Sequence, residues 1–175
     1  MKLIILDTET SGFSPSEEYI IQLAYLIYDT KTNNIEQTNF YIEPPIQITN
    51  SHIHHITNEF VKDSYKFSEI AQIFLDDLDD INLLVGHNIS FDINFLKEEL
   101  RRNNFSSKRL DDIQTYDTMK QSVNVCKIIG KYNKYKYPKL SELYRHFFKK
   151  DFLNQHNAVG DITATLACYK QLISL

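Results

Sequence analysis

Leu3-Ile4-Ile5-Leu6-Asp7-Thr8-Glu9-Thr10-Ser11-Gly12 is a short apolar run that carries two carboxylates two residues apart and then breaks at a glycine. Its first half reads as a buried strand. In an extended strand, residues i and i+2 point to the same side, so Asp7 and Glu9 project together from the strand's end. Two like charges held that close repel unless a cation neutralises them. An all-oxygen pair suits a hard divalent ion, Mg²⁺ or Mn²⁺.

Working outward, periodicity lays out the rest of the chain. Apolar and β-branched runs at 19–28 and 35–42 predict two more strands, joined by the turn Asp29-Thr30-Lys31-Thr32-Asn33-Asn34 into a three-stranded meander that Pro44-Pro45 ends. Ile70, Ile73, Phe74 and Leu78 recur at helical spacing and predict a helix over 67–78. A short buried strand is expected at 83–86. A helix capped by Ser90 should run to about Arg102, with Phe91, Phe95, Leu96 and Leu100 inward. A strand at 113–117 should lead into a helix through about Ile129, and a further helix should cover 140–148, begun near Pro138. Asn157 should cap the last helix, whose apolar stripe is Ala158, Ile162, Leu166, Tyr169 and Ile173. Three strands followed by alternating helices and strands give an α/β fold, a mixed sheet flanked by α-helices on both faces.

Composition bounds the function. At 175 residues, 42% of them hydrophobic, one domain spanning 1–175 with a substantial core is expected. No apolar stretch is long enough to span a bilayer, and Met1 leads straight into a strand pattern. A cytoplasmic protein with no membrane partner is therefore expected, with Cys126 and Cys168 as reduced thiols. A net charge of −4 argues against a coat protein that binds nucleic acid tightly and without regard to sequence. It leaves room for an enzyme that grips a few nucleotides through metals and local lysines.

Two more acids stand in recognisable settings. Asp92 follows a strand end in Gly86-His87-Asn88-Ile89-Ser90-Phe91-Asp92, and Asp161 lies at a helix start in His156-Asn157-Ala158-Val159-Gly160-Asp161. Five helical residues turn about 500°, so His156 and Asp161 cannot share a helix face. With Asn157 as cap, His156 stays in the loop while Asp161 enters the first turns and joins Asp7 and Glu9. Such a set points to metal-dependent phosphodiester chemistry.

At these residues the chain resembles the DEDDh branch of the DnaQ-like 3′→5′ exonucleases. The first motif, Asp-x-Glu-Thr-x-Gly, is Asp7 to Gly12; the second, His-Asn-x-x-Phe-Asp, is His87 to Asp92; the third, His-x-x-x-x-Asp, is His156 to Asp161. Lesser features fall in register: Ile-x-x-Ile-Thr near His54, Asp117-Thr118, and Leu140 with Leu143. The resemblance runs from residue 3 to about 173. It implies a ribonuclease H-like sandwich with a five-stranded mixed sheet, and a 3′→5′ exonuclease acting on single-stranded DNA or RNA 3′ ends with two divalent ions, Mg²⁺ or Mn²⁺. The ligands it implies are Asp7, Glu9, Asp92 and Asp161, with His156 as general base. It further implies that Thr10, Ser11 and Gly12 offer backbone groups to the terminal nucleotide, that His54 and Ile56 approach its base, and that Asn88 and Phe91 line its sugar or base.

One position departs from the family. His55 stands where glycine is usual; a positive φ there would strain a histidine. DNA is favoured over RNA because bacterial oligoribonucleases carry Asp-Leu-Glu-Met-Thr-Gly in the first motif, whereas this chain has Asp7-Thr8-Glu9-Thr10. Repair, RNA maturation and spacer trimming for CRISPR adaptation all fit a free-standing trimming enzyme. A polymerase or other nucleic-acid-processing complex is the partner class. The alternatives are an exoribonuclease and a catalytically idle module that binds ends or partners. Lys127, Lys131, Lys134, Lys136 and Lys139 alternate with Tyr132, Tyr135 and Tyr137. That pattern serves either to hold a single strand or to form a solvated loop whose tyrosines cover the core.

Overall fold

The computed structural model describes residues 1–152 and 157–175. Five strands, β1 (Lys2–Thr10), β2 (Ile20–Asp29), β3 (Ile35–Tyr41), β4 (Leu83–Gly86) and β5 (Gln114–Asp117), form one sheet in the order β3-β2-β1-β4-β5. β1 pairs antiparallel with β2 and β2 with β3, whereas β1–β4 and β4–β5 are parallel. The expected meander and mixed sheet are therefore present.

β1 is the central strand, and its alternation divides the core. Ile4 and Leu6 face one way, onto Ile70, Phe74, Phe95 and Leu96 of the helices Phe67–Leu78 and Ile89–Arg102. Leu3 and Ile5 face the other way, onto Ala158, Ile162, Leu166 and Tyr169 of the helix Ala158–Leu172. Leu3, Ile4, Ile5 and Leu6 are all essentially inaccessible to water. Each such side chain contributes about 1.5–3 kcal/mol when taken fully out of water. Asp7 and Glu9 continue the face covered by the last helix; Thr8 and Thr10 continue the opposite face. The β1–β2 register shifts between Glu9 and Thr10, so the strand carrying the acids is bent where it leaves the sheet.

The helices over Phe67–Leu78 and Leu140–Phe148 start and stop where the periodicity places them. Three details differ. Ile73 is 47% exposed and Ile173 57% exposed, so neither belongs to its stripe; Ile173 lies just past the helix end. The helix Ile89–Arg102 begins after Asn88, not Ser90, and Asn88 makes no side-chain cap. The stretch after β5 is two single turns, Thr118–Gln121 and Val123–Cys126, in place of one helix. Lys127, at φ 50°, ends the second turn with its N–H on the Val123 carbonyl. The β-branched residues and Gly130 that follow do not favour resuming it.

Both cysteines are free thiols. Among the described residues no helix is long and apolar enough to cross a membrane.

Candidate active site

Asp7 and Glu9 stand on the face of β1 that the helix Ala158–Leu172 covers, and Asp161 lies in that helix's first turn. Asn157 fixes the turn: its backbone is extended (φ −130°) and its side-chain oxygen accepts from the Val159 N–H at 3.1 Å. One carboxylate oxygen from each of Asp7, Glu9 and Asp161 lies within 4.8 Å of the others. Proximity and burial act together on their charge. Burial, then Asp92, Asp161 and Glu9, push Asp7 well above the ordinary carboxylate range. Burial, then Asp161 and Asp92, push Glu9 up to about 8. Three all-oxygen donors that resist sharing negative charge fit a hard divalent cation, which supplies the missing positive charge.

Asp92 reaches the same end of β1 from the opposite side of the sheet. It is buried, and its Oδ1 accepts from both the Thr8 N–H (2.9 Å) and the Thr8 hydroxyl (2.8 Å). Burial raises it to about 7 against the pull of those hydrogen bonds. Asp92 is thus near enough to perturb Asp7, yet one of its oxygens is committed to Thr8. His156 lies outside the described residues.

The other expected contacts are placed differently. His54 is 4% exposed; its Nδ1 accepts from the Ile56 N–H, so Nε2 carries the proton and donates to the Asn50 Oδ1. Asn50 in turn donates to the Thr10 carbonyl. Burial, then the neighbouring histidines, hold His54 below its usual pKa, in keeping with this neutral tautomer. Ile56 is buried with Ile21, Ile48 and Val61. His54 and Ile56 are therefore interior struts that tie the 48–61 segment to the end of β1, and neither is exposed to a base. His55 does adopt φ 61°, the left-handed conformation in which a glycine is unstrained.

The Ser11 N–H donates to the Tyr19 carbonyl, and the Ser11 hydroxyl donates to Glu18 Oε2 at 2.6 Å. The Thr10 hydroxyl donates to the Gly12 carbonyl. Three backbone groups expected to meet a nucleotide here, the Thr10 carbonyl, the Ser11 N–H and the Gly12 carbonyl, hold the loop instead. A Cβ at Gly12 would stand 2.5 Å from the Glu18 carboxyl carbon, so only glycine lets Glu18 reach Ser11. Asn88 is exposed and left-handed at φ 72°. Phe91 is half-buried, its ring 4.9 Å from that of Phe95.

His87 stands in the second motif without an expected role, yet the fold uses it. Its Nδ1 meets the Thr118 hydroxyl at 3.0 Å, and its Nε2 donates to the Pro138 carbonyl at 2.9 Å. His87 thereby pins the 137–139 segment beside the acids, where Asp7, Asp161, Tyr137, Lys139 and Phe152 line a cleft of about 520 Å³. Asp117 is a second support: its Oδ1 accepts from the N–H groups of Asn88 and Met119, seating the start of the helix Ile89–Arg102. Phe13, immediately after Gly12, is 81% exposed. The sequence signal for Phe13 was adjacency to the first motif; for His87 and Asp117 it was their place in the second and lesser motifs.

Comparison with known proteins bears on this arrangement. The family model RNase_T, described as an exonuclease, matches residues 4–169. DNA polymerase III subunit epsilon of Rickettsia felis is 37% identical over 103 residues, 57% of this chain and 44% of that protein. The Haemophilus influenzae epsilon subunit is 31% identical over 126 residues, 68% of this chain and 49% of that one. The PolC-type DNA polymerase III of Latilactobacillus sakei is 30% identical over 93% of this chain, which is 10% of that protein. Among solved structures, Escherichia coli exonuclease I in complex with a dT13 oligonucleotide superposes with a TM-score of 0.82 at 19% identity, over 98% of this chain and 40% of that one. That likeness shows the fold, and the chain spans less than half the length of these relatives.

Proposed function

The chain belongs to the RNase_T exonuclease family, and on that premise we propose that it is a metal-dependent 3′→5′ exonuclease. It hydrolyses the terminal phosphodiester of single-stranded nucleic acid, DNA in preference to RNA, and releases nucleoside 5′-monophosphates. The observation that carries this reading is the cluster of Asp7, Glu9 and Asp161 oxygens within 4.8 Å. Divalent ions, Mg²⁺ or Mn²⁺, when bound, neutralise charge on the scissile phosphate and leaving oxygen and make water a better nucleophile.

The protein's own contribution is placement. Asp7 and Glu9, from one strand face, and Asp161, from the capped helix, present the donors for one ion. Asp92, oriented by Thr8, serves a second ion together with Asp7. His156, from the third motif, takes the proton of the attacking water. Asn88, Phe91 and the exposed Phe13 contact the terminal nucleotide, and the cleft bounded by Tyr137 and Lys139 admits the strand. The preference for DNA, and a polymerase as the partner class, draw on the relatives' being DNA polymerase III subunits.

A single-stranded oligonucleotide labelled at its 3′ end should lose the label at once as a mononucleotide in Mg²⁺. A 5′ label should give a descending ladder, a covalently closed circle should resist, and EDTA should stop the reaction. Cleavage of the circle, or turnover in EDTA, overturns the proposal. The matched RNA oligonucleotide reports the sugar preference.

A further inference from the structure

Residues 128–136 form a small hairpin beside the cleft. Ile129 bridges Tyr135, the Gly130 N–H donates to the Lys134 carbonyl, and the Lys136 N–H donates to the Ile128 carbonyl. At its tip, Tyr132 and Asn133 are both left-handed, φ 58° and 57°. Asparagine accepts that conformation; tyrosine is strained in it. The strain serves no packing, for Tyr132 is 92% exposed, and backbone strain of this kind tends to persist where a function uses it.

From the tip back to the cleft the side chains alternate. Lys136 turns inward to an ion pair with Glu142, and Pro138 is buried with its carbonyl on His87. Tyr135, Tyr137 and Lys139 face out, and the row ends at the cleft wall shared with Asp7 and Asp161. In extended chain each such step is about 6–7 Å. Among the described residues none of the three tyrosine rings stacks on another aromatic ring, and Lys127, Lys131, Lys134 and Lys139 have no carboxylate within ion-pair distance. In a chain of net charge −4, four unpaired ammonium groups interleaved with three open rings make a local exception. Cations that meet phosphates, alternating with flat faces that meet bases, match a single-stranded polynucleotide.

We propose that the hairpin is a landing strip for the single strand 5′ of the cleaved nucleotide, with Tyr132 and Tyr135 stacking on bases and Lys131 and Lys134 meeting phosphates. The inference rests on the exonuclease reading for the direction of the strand, and not for its binding.

The test is fluorescence anisotropy of 5′-fluorescein-dT12 in EDTA, which reads binding without turnover. Tyr132→Asn with Tyr135→Thr keeps a residue suited to each backbone conformation and removes both rings; affinity should fall tenfold or more. Tyr132→Phe with Tyr135→Phe keeps the rings and should bind as the parent does. Lys131→Ala with Lys134→Ala should flatten the slope of log affinity against log salt by about 1.4, or about 0.7 per lost phosphate contact on a single strand. Undiminished affinity in the ring-less variant, or an equal loss in the phenylalanine variant, overturns the proposal, as does an unchanged salt slope. The two readings fail separately. Binding that depends on the hairpin without turnover in Mg²⁺ sinks the exonuclease alone; turnover with every variant binding like the parent sinks the landing strip alone.

Discussion

The chain writes one hexapeptide pattern twice, His87-Asn88-x-x-x-Asp92 and His156-Asn157-x-x-x-Asp161, and the fold gives the two copies unequal work. Both asparagines precede a helix by one residue, and both aspartates sit four residues later. Asn157 is extended and caps its helix with its side chain, whereas Asn88 is left-handed, caps nothing with its side chain and leaves its N–H to Asp117. The helices then dock on opposite faces of the sheet. Asp161 meets Asp7 and Glu9, on the odd-numbered face of β1, and Asp92 meets Thr8, on the even-numbered face. Local sequence sets where an acid enters a helix. The parity of the strand it meets decides whether the acid joins a cluster of charges or accepts hydrogen bonds.

The largest expected effect breaks the cluster. Asp161→Asn should reduce Mg²⁺-dependent hydrolysis of dT12 to background while leaving the melting temperature at or above that of the parent, because a source of repulsion is removed. Substantial turnover would place the metal elsewhere. Next comes the histidine of the second copy: His156→Ala should cost on the order of 10²–10⁴-fold in turnover, the usual worth of a positioned general base. Turnover within about threefold of the parent would remove it from the mechanism.

A smaller effect sharpens the role of the other face. Thr8→Val deletes the hydroxyl that orients Asp92 and should lower activity about 10–100-fold, the usual cost of losing a partner that orients a metal ligand. An equal loss in Thr8→Ser, which keeps the hydroxyl, would mean that packing and not the hydrogen bond matters. Stability should also track the cluster's protons. Glu9 titrates near 4.5 when free and at about 8 in the fold, so between those values the folded chain holds more protons than the unfolded one. Metal-free stability must then fall as pH rises through that window. Melting curves from pH 5 to pH 8.5, without metal, should show this fall, and Glu9→Gln should make it shallower. Identical slopes would mean that Glu9 does not set this pH dependence.

The smallest effect compares the two caps directly. Asn157→Ala should cost about 1 kcal/mol, roughly 2–4 °C in melting temperature. Asn88→Gly should change stability little, since its side chain caps nothing and glycine tolerates its φ. Equal losses would erase the distinction between the two helix starts.

These contrasts also mark what can be read from sequence. The pairing of Asp7 with Glu9 was legible because a period of two is a local property of a strand, and the Asn157 cap because its partner is two residues away. The helix Phe67–Leu78 was legible because its apolar positions keep one period over three turns. Ser90 reads as a cap from sequence because nothing local announces that Asp117, 29 residues away, holds the Asn88 N–H. His54 and Ile56 looked available to a ligand because sequence cannot show that Asn50 and the Ile21–Ile48–Val61 cluster enclose them. The role of His87 is hidden from sequence for the same reason, its partner being the carbonyl of Pro138, 51 residues on.

The proposed divalent-cation site needs Asp7, Glu9 and Asp161 together. Titration of Mn²⁺ followed by electron paramagnetic resonance, on the parent chain and on Asp161→Asn, tests it most directly. The parent should bind Mn²⁺ saturably, and the variant should bind it more than tenfold more weakly. Undiminished binding in Asp161→Asn would contradict that requirement.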